Sequence, residues 1–314
     1  MYNILMFVDS GVDDSLALMY ALLNPKLNVV GVVSGYGNIS KEQSLHNTAY
    51  LLKLAGREDI PIIAGVAGPL SGELTRYYPD IHGEKGLGPI QPPADFEGLK
   101  VYDIDKIIEI VNQYKNNLII VGVGRQTDLA LPFIVYGANA LKDVVAFYIM
   151  GGAFLVPGNV TAEAEANFFA DPIAADLVIE KGHNVFIHPL NITNSALIKP
   201  EDIDFLAKNS QSPFKNLIKP AFDYYFDAYK ELVPGIQGAP IHDVVPLFAL
   251  TNPGAVQYLP KQVRIEQFGQ SRGKSMADFR PNPEEVAENK KDWIGMKIDL
   301  NRFREDFIRT FQGR

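Results

Sequence analysis

From Asn3 to His188 the chain alternates short β-branched runs with stretches of helical period, a rhythm that few architectures accommodate. Asn3–Val8 reads as a buried strand, and Val12–Leu23 as a helix with Leu16, Met19, Tyr20 and Leu23 on its apolar side. Further strands are expected at Asn28–Ser34, Pro61–Ala64, Asn117–Val123, Val144–Met150 and Asn184–His188. Helices are expected at Lys41–Leu54, Asp103–Tyr114, Thr127–Val135 and Asp171–Glu180. The fold class that follows is α/β, with a mainly parallel central sheet covered by helices on both faces. No internal repeat, low-complexity tract or linker composition divides the 314 residues, so a single domain over residues 1–314 is expected.

Two segments break the rhythm. Gly65–Leu99 is rich in glycine and proline and too long for an ordinary connection, which marks it as a functional loop. Pro281–Lys291 is polar and reads as a surface excursion.

Composition narrows the partners. The net charge of -8 comes from 37 acids against 29 bases without long single-sign runs, so the concentrated basic face that nucleic acid requires is missing. There is no cysteine, which excludes disulfides, thiolate metal sites and thiol nucleophiles and agrees with a reducing cytoplasm. The first residues carry no basic region, and Asp9 breaks their apolar run. No stretch reaches membrane-spanning length, so a cytoplasmic protein without a signal peptide or membrane anchor is expected.

In such sheets ligands bind beyond the carboxyl ends of the strands, and polar clusters fall there. Asp9, Asp13 and Asp14 follow the first strand, with Gly11 allowing a tight turn. Three carboxylates so close repel one another unless a cation sits among them, and a hard ion such as calcium or magnesium suits oxygen ligands. Helix capping accounts for one of these acids, not for three. Asn38 follows the second strand; alone it would be a turn residue. In VGVGRQTDLAL, residues 121–131, Gly122 and Gly124 suggest a backbone that approaches something closely, and Thr127 can cap the next helix. Glu165 and Asn167, two apart, point the same way if extended, and an acid beside an amide suits hydroxyl groups. His242-Asp243 can serve acid/base chemistry, a metal, or a helix N-terminus. The other histidines have no metal-ligand spacing, and Gly273-Lys274-Ser275 lacks the earlier glycine of a phosphate loop.

Together these segments resemble the inosine–uridine preferring nucleoside hydrolase family. Asp9-Ser10-Gly11-Val12-Asp13-Asp14 is similar to the latter part of its DxDxGxDD signature, and His82-Gly83-Glu84-Lys85-Gly86-Leu87-Gly88 to its HGxxGLG segment. Gly124–Ala130 resembles the GPLTNxA turn. Met150-Gly151-Gly152, Gly158–Thr161, Ala164–Asn167 with Asp171-Pro172, His242-Asp243 and Arg272–Arg280 follow in the family's order. The match runs over nearly the whole chain.

The resemblance implies a single Rossmann-like α/β domain, a bound calcium ion (Ca2+), ribonucleoside substrates and a place in nucleoside salvage. By position it implies Asp9, Asp14, Asp243 and the backbone carbonyl of Thr127 as metal ligands. Asp9 would also take the proton from the attacking water. Asp13, Asn159, Glu165 and Asn167 would grip the ribose, with Asn38 and His82 nearby, and His242 would protonate the departing base. Tyr225 and Tyr229, one helical turn apart, suit stacking on the base or its protonation, although packing in the core accounts for at least one of them. A homodimer or homotetramer is expected from the habits of soluble enzymes and of this family. The chain departs from the pattern at Phe7 in place of the first signature aspartate, at Ser10 and Arg125 in place of prolines, and at Asp128 and Asn191. Phe7 raises an alternative, a nucleoside- or ribose-binding relative that has lost turnover. A magnesium-dependent phosphate-ester hydrolase is a third reading; it wants phosphate-binding bases that the sequence does not group.

Overall fold

The computed structural model describes residues 1–93, 100–281 and 291–313. In chain order its elements begin β1 (Tyr2–Val8), α1 (Val12–Leu23), β2 (Leu27–Ser34), α2 (Lys41–Leu54), β3 (Ile62–Ala64), α3 (Pro79–His82), β4 (Val101–Tyr102) and α4 (Asp105–Gln113). The middle of the chain forms β5 (Leu118–Gly122), α5 (Thr127–Val135), β6 (Ala146–Met150), α6 (Ala166–Ala170), α7 (Pro172–Lys181), β7 (Val185–His188) and α8 (Leu190–Thr193). Next come β8 (Leu197–Ile198), α9 (Pro200–Asn209), α10 (Lys215–Leu232), β9 (Ala239–Pro240) and α11 (Val244–Thr251). The chain closes with β10 (Val256–Lys261), β11 (Arg264–Ile265), β12 (Ser275–Met276), β13 (Asp292–Ile298) and α12 (Leu300–Gln312).

Nine strands make one sheet in the order β10-β13-β7-β6-β5-β1-β2-β3-β4. All neighbours are parallel except β10 and β13. Alternate residues of β1 serve opposite layers, as the two-residue period of a strand demands. Ile4, Met6 and Val8 join a core with α1, α10, α11 and α12. Leu5 and Phe7 join another core with α4, α5 and α7. The expected α/β class, with a mainly parallel sheet between helical layers, is what the chain forms.

Most expected elements begin and end within one residue of the observed ones. Two start later. Val144 closes a turn onto Leu141 before β6 begins at Ala146, and Asp103 and Ile104 lie in a turn ahead of α4. The edge strand β10 and its neighbour β13 carried no local signal. β10 is half exposed and contains Pro260, which an edge tolerates. The expected loop Gly65–Leu99 is described up to residue 93 and holds α3, which delivers His82 to the site and packs on α10. Gly83, at φ 82°, could carry no side chain, because a Cβ would lie 2.3 Å from the Gly88 carbonyl oxygen. Of the expected excursion Pro281–Lys291, all but the two ends lies outside the described residues.

Candidate active site

The chain winds from β1 outward to β4, then returns to β5 on the other side of β1 and continues to β7. The switch point therefore lies between β1 and β5, where the two following loops diverge and leave a crevice. Asp9 leaves the end of β1, Asn38 follows β2, and Arg125 follows β5. A cavity of about 470 Å³, a size suited to a small molecule, opens there. Asp13, Asn38, Arg125, Asn167, Tyr229 and Asp243 are among the residues lining it.

Ser10, at φ 25°, turns the chain sharply after Asp9, a conformation closed to proline. The Ser10 carbonyl accepts Asn47 Nδ2 at 3.0 Å, and its hydroxyl lies 2.9 Å from Thr48 Oγ1, which pins the turn. Asp14, in the first turn of α1, accepts the Asp9 N–H at 3.0 Å and the Gly11 N–H at 3.2 Å. It thus serves the helix N-terminus from inside an acidic cluster. Asp9 accepts the Asn38 N–H at 3.0 Å and Asn38 Nδ2 at 3.1 Å. Two glycines make this approach feasible: a Cβ on Gly37 would lie 1.6 Å from Asp9 Oδ2, and one on Gly124 would lie 2.9 Å from the Asp9 nitrogen.

Carboxylate oxygens of Asp13, Asp14 and Asp243 lie within 4.8 Å of one another. Asp9 sits beside this trio, linked through Asn38 Nδ2, which also donates to Asp14 at 2.9 Å. Asp14 and Asp243 stand at the N-termini of α1 and α11, whose partial positive charge offsets some of the repulsion. Asp13 Oδ1 is buried with no hydrogen-bond partner, while Tyr225 lies 3.2 Å from its other oxygen. Burial and then the neighbouring Asp14 raise the Asp9 pKa well above the carboxylate range, against the pull of Arg125. Burial and Asp14 push Asp13 up to about 7, and burial with Asp13 and Asp14 raises Asp243 strongly. A divalent cation fits this arrangement: the donors are all oxygen, they are crowded, and one is left without a partner. Thr127, the expected carbonyl ligand, opens α5 next to the crevice. Its hydroxyl donates to Asp171 at 2.7 Å and lies 2.9 Å from the Tyr36 hydroxyl, so its backbone is fixed in place.

The raised carboxyls give stability a definite pH dependence. Asp13, Asp128 and Asp292, each pushed up to about 7 chiefly by burial, bind protons more tightly folded than unfolded. Their contribution is complete below the ordinary carboxylate range and is lost as pH rises through the folded value. Buried His82, His188 and His242, lowered to about 3, 3 and 4 by burial, act oppositely, but only below the usual 6.5. The acids alone therefore decide above that pH. Without metal, the melting temperature is expected to fall between about pH 6.5 and 8, and bound metal should flatten the decline. Thermal unfolding across that range, with and without a chelator, checks it; a flat metal-free profile would contradict the acid cluster's state.

The far wall of the cavity is aromatic. Tyr225 and Tyr229 sit side by side along α10 with ring centroids 4.8 Å apart and planes tilted by 57°, and both line the cavity, although Tyr225 is also a fully buried core residue. Tyr229 OH lies 2.9 Å from His242 Nε2, and His242 Nδ1 lies 2.8 Å from Thr193 Oγ1. His82 Nδ1 accepts the Val12 N–H at 3.1 Å, which leaves its proton on Nε2. Glu165 caps α6, accepting the Asn167 and Phe168 N–H groups at 2.8 and 3.2 Å and that of Gly152 at 2.9 Å. Asn159, exposed on the rim, accepts the Ala166 N–H at 3.0 Å. Lys274 of the glycine–lysine–serine run pairs with Glu163 at 2.7 Å and lies outside the cavity lining.

The sequence reading did not place Arg125, Tyr36, Asp171 or Thr193 in the site. Arg125 had a visible signal: a cation directly after a glycine-flanked strand end, where the family's turn carries proline. The others act through contacts between distant segments, such as Asp171 to Leu70 at 2.8 Å, that no local pattern records.

The winding, the crevice and the carboxylate cluster define an α/β protein with a buried acidic cluster that could hold a hard cation, open to a small-molecule cavity. The profile of the inosine-uridine preferring nucleoside hydrolases matches residues 4–305, and the chain belongs to that family; it is a ribonucleoside hydrolase, cleaving N-glycosidic bonds. It is 31% identical over 271 residues to uridine nucleosidase 1 of Arabidopsis thaliana, covering 86% of this chain and 80% of that one. It is 34% identical over 251 residues to the pyrimidine-specific ribonucleoside hydrolase RihA of a Shewanella species, covering 80% and 78%. Among solved structures it superposes on the plant nucleoside hydrolase PpNRh1 with a TM-score of 0.92 at 28% identity, over 100% and 99% of the two chains. A purine-preferring ribonucleoside hydrolase from Gardnerella vaginalis gives 0.91 at 26% identity, over 99% and 98%.

Proposed function

We propose that this enzyme hydrolyses ribonucleosides to ribose and a free nucleobase in a calcium-dependent reaction. The observation that carries the proposal is the buried, crowded aspartate cluster beyond the end of β1, open to the cavity through Asp13 and Asp243. Asp9, Asp14, Asp243 and the Thr127 carbonyl would hold the ion. Bound there, calcium would keep the carboxylates ionised and make a water molecule more acidic. Asp9, fixed by Asn38, accepts that water's proton. Asp13 lines the cavity and accepts a hydrogen bond from a sugar hydroxyl, with Asn159, Glu165 and Asn167 shaping the rest of the sugar site. Breaking the bond builds positive charge on the sugar, and the surrounding carboxylates favour that charge.

The aromatic wall faces the base. His242, kept neutral by burial, shares its Nε2 with Tyr229, and the proton for the leaving base comes through this pair. His242→Ala is expected to lower kcat on uridine or inosine by about 10²- to 10⁴-fold. A nitrophenyl riboside, whose leaving group needs no proton, should be slowed only a few-fold; equal losses on both would assign His242 a purely structural part.

Phe7 gives no support to the binder-without-turnover alternative. It is buried in one core layer with Leu5, Val33 and Ile63, where an apolar side chain packs without leaving a charge uncompensated. The direct experiment is release of reducing sugar from uridine and inosine. Equal amounts of ribose and base are expected with calcium, with a loss of about 100-fold or more after chelation that added calcium reverses. Absence of sugar release from every ribonucleoside tested would contradict the proposal.

A further inference from the structure

Full recognition of a sugar hydroxyl needs an acceptor for its proton and a donor for its oxygen. Acceptors are plentiful here in Asp13, Asp243 and Glu165. Donors are scarce on the wall built by the ends of β1, β2 and β5. Asn38 commits both amide protons, to Asp9 at 3.1 Å and Asp14 at 2.9 Å. Asn167 commits both of its own, to the carbonyls of Val123 at 2.7 Å and Met150 at 3.2 Å. Neither amide has a proton left for a ligand. Their oxygens are also taken: Arg125 Nη1 donates to Asn167 Oδ1, and Arg125 Nη2 to Asn38 Oδ1 at 3.3 Å.

Arg125 is buried, yet it lines the cavity. Of its five N–H groups, those two are its hydrogen bonds to protein among the described residues, and Nη1 approaches Asp9 Oδ2 only to 3.6 Å. We propose that Arg125 is the donor that reads the 2′-hydroxyl oxygen of the substrate's ribose, and so sets the preference for ribosides over 2′-deoxyribosides. The position follows from the chemistry. Water activated on Asp9 must lie about 3–3.5 Å from the anomeric carbon. The hydroxyl on the adjacent carbon is the 2′, and the guanidinium stands beside Asp9. Asp13 supplies the complementary acceptor. A cation so close to developing positive charge is unfavourable for the chemical step by itself, which is why its effect should depend on the hydroxyl being present.

This inference rests on the hydrolase reading above, and its test separates the two. Values of kcat/KM are measured for uridine and 2′-deoxyuridine with the wild type, Arg125→Met and Arg125→Lys, each checked for folding by circular dichroism. Calorimetric binding of both nucleosides, with each Arg125 variant carried in an Asp9→Ala background, repeats the comparison without turnover. Arg125→Met should cut kcat/KM for uridine by about 30-fold or more and for 2′-deoxyuridine by a factor about tenfold smaller or less. The preference for uridine should shrink accordingly in both measurements, with Arg125→Lys intermediate. An unchanged preference in a folded Arg125→Met overturns the role of Arg125 and leaves the hydrolase reading standing. If that variant does not fold, an unchanged preference in Arg125→Lys, which keeps the charge but not the planar fork, overturns it equally. A wild type that neither binds nor cleaves uridine or inosine refutes the hydrolase reading and this inference with it.

Discussion

Replacing Asp9 by alanine should lower kcat for a ribonucleoside about a thousandfold or more, with a much smaller change in nucleoside affinity. Two effects combine. The variant removes the group that takes the proton from water, which alone is worth about 10²- to 10⁴-fold. It also removes one of the carboxylates proposed to hold the ion that activates that water. The place is built around Asp9: the Asn38 backbone and side chain both donate to its carboxylate, and Gly37 and Gly124 press against it. Steady-state kinetics with direct binding of the nucleoside gives the answer. Turnover within tenfold of wild type in a folded Asp9→Ala would remove Asp9 from the chemistry.

Asp243→Ala should abolish the stabilisation that calcium confers. An ion at a hundred times its dissociation constant stabilises a folded protein by about 2.7 kcal/mol, which for a chain of this size raises Tm by about 4 °C. Asp243 is one of three acids whose oxygens lie within 4.8 Å of one another, so its loss should remove most of that rise together with activity. A second consequence distinguishes metal loss from mere damage. Removing one of several repelling carboxyls should make the metal-free variant no less stable, and more resistant to rising pH, than the metal-free wild type. Thermal unfolding with and without calcium measures both. A calcium-dependent rise as large as that of the wild type would take Asp243 out of the ion site.

How much of this was legible follows from what each segment's signal depends on. The parallel sheet could be read because β1, β2, β5 and β7 carry their apolar runs contiguously, and burial on both faces leaves that record in the sequence. The acid cluster at Asp9–Asp14 could be read because one turn brings its members together, and Asn38 gained meaning only from the adjacent strand end. The edge β10 and its partner β13 were not legible, since their pairing spans segments with no shared local pattern. The direction of the Arg125 side chain was not legible either. Its position in the turn motif was visible, but its bonds reach Asn38 and Asn167, 87 and 42 residues away. Tyr225 was ambiguous for a physical reason: it is at once a core residue and a wall of the cavity, so neither reading of its spacing excluded the other.

The most direct test is a crystal structure of the protein grown with calcium and a non-hydrolysable ribonucleoside analogue, with anomalous scattering used to locate the ion. The account predicts one ion at about 2.3–2.6 Å from oxygens of Asp9, Asp14 and Asp243 and from the Thr127 carbonyl, with the ribose ring beside it. Density for a nucleoside with no ion among these oxygens, or an ion bound elsewhere in the chain, would contradict it.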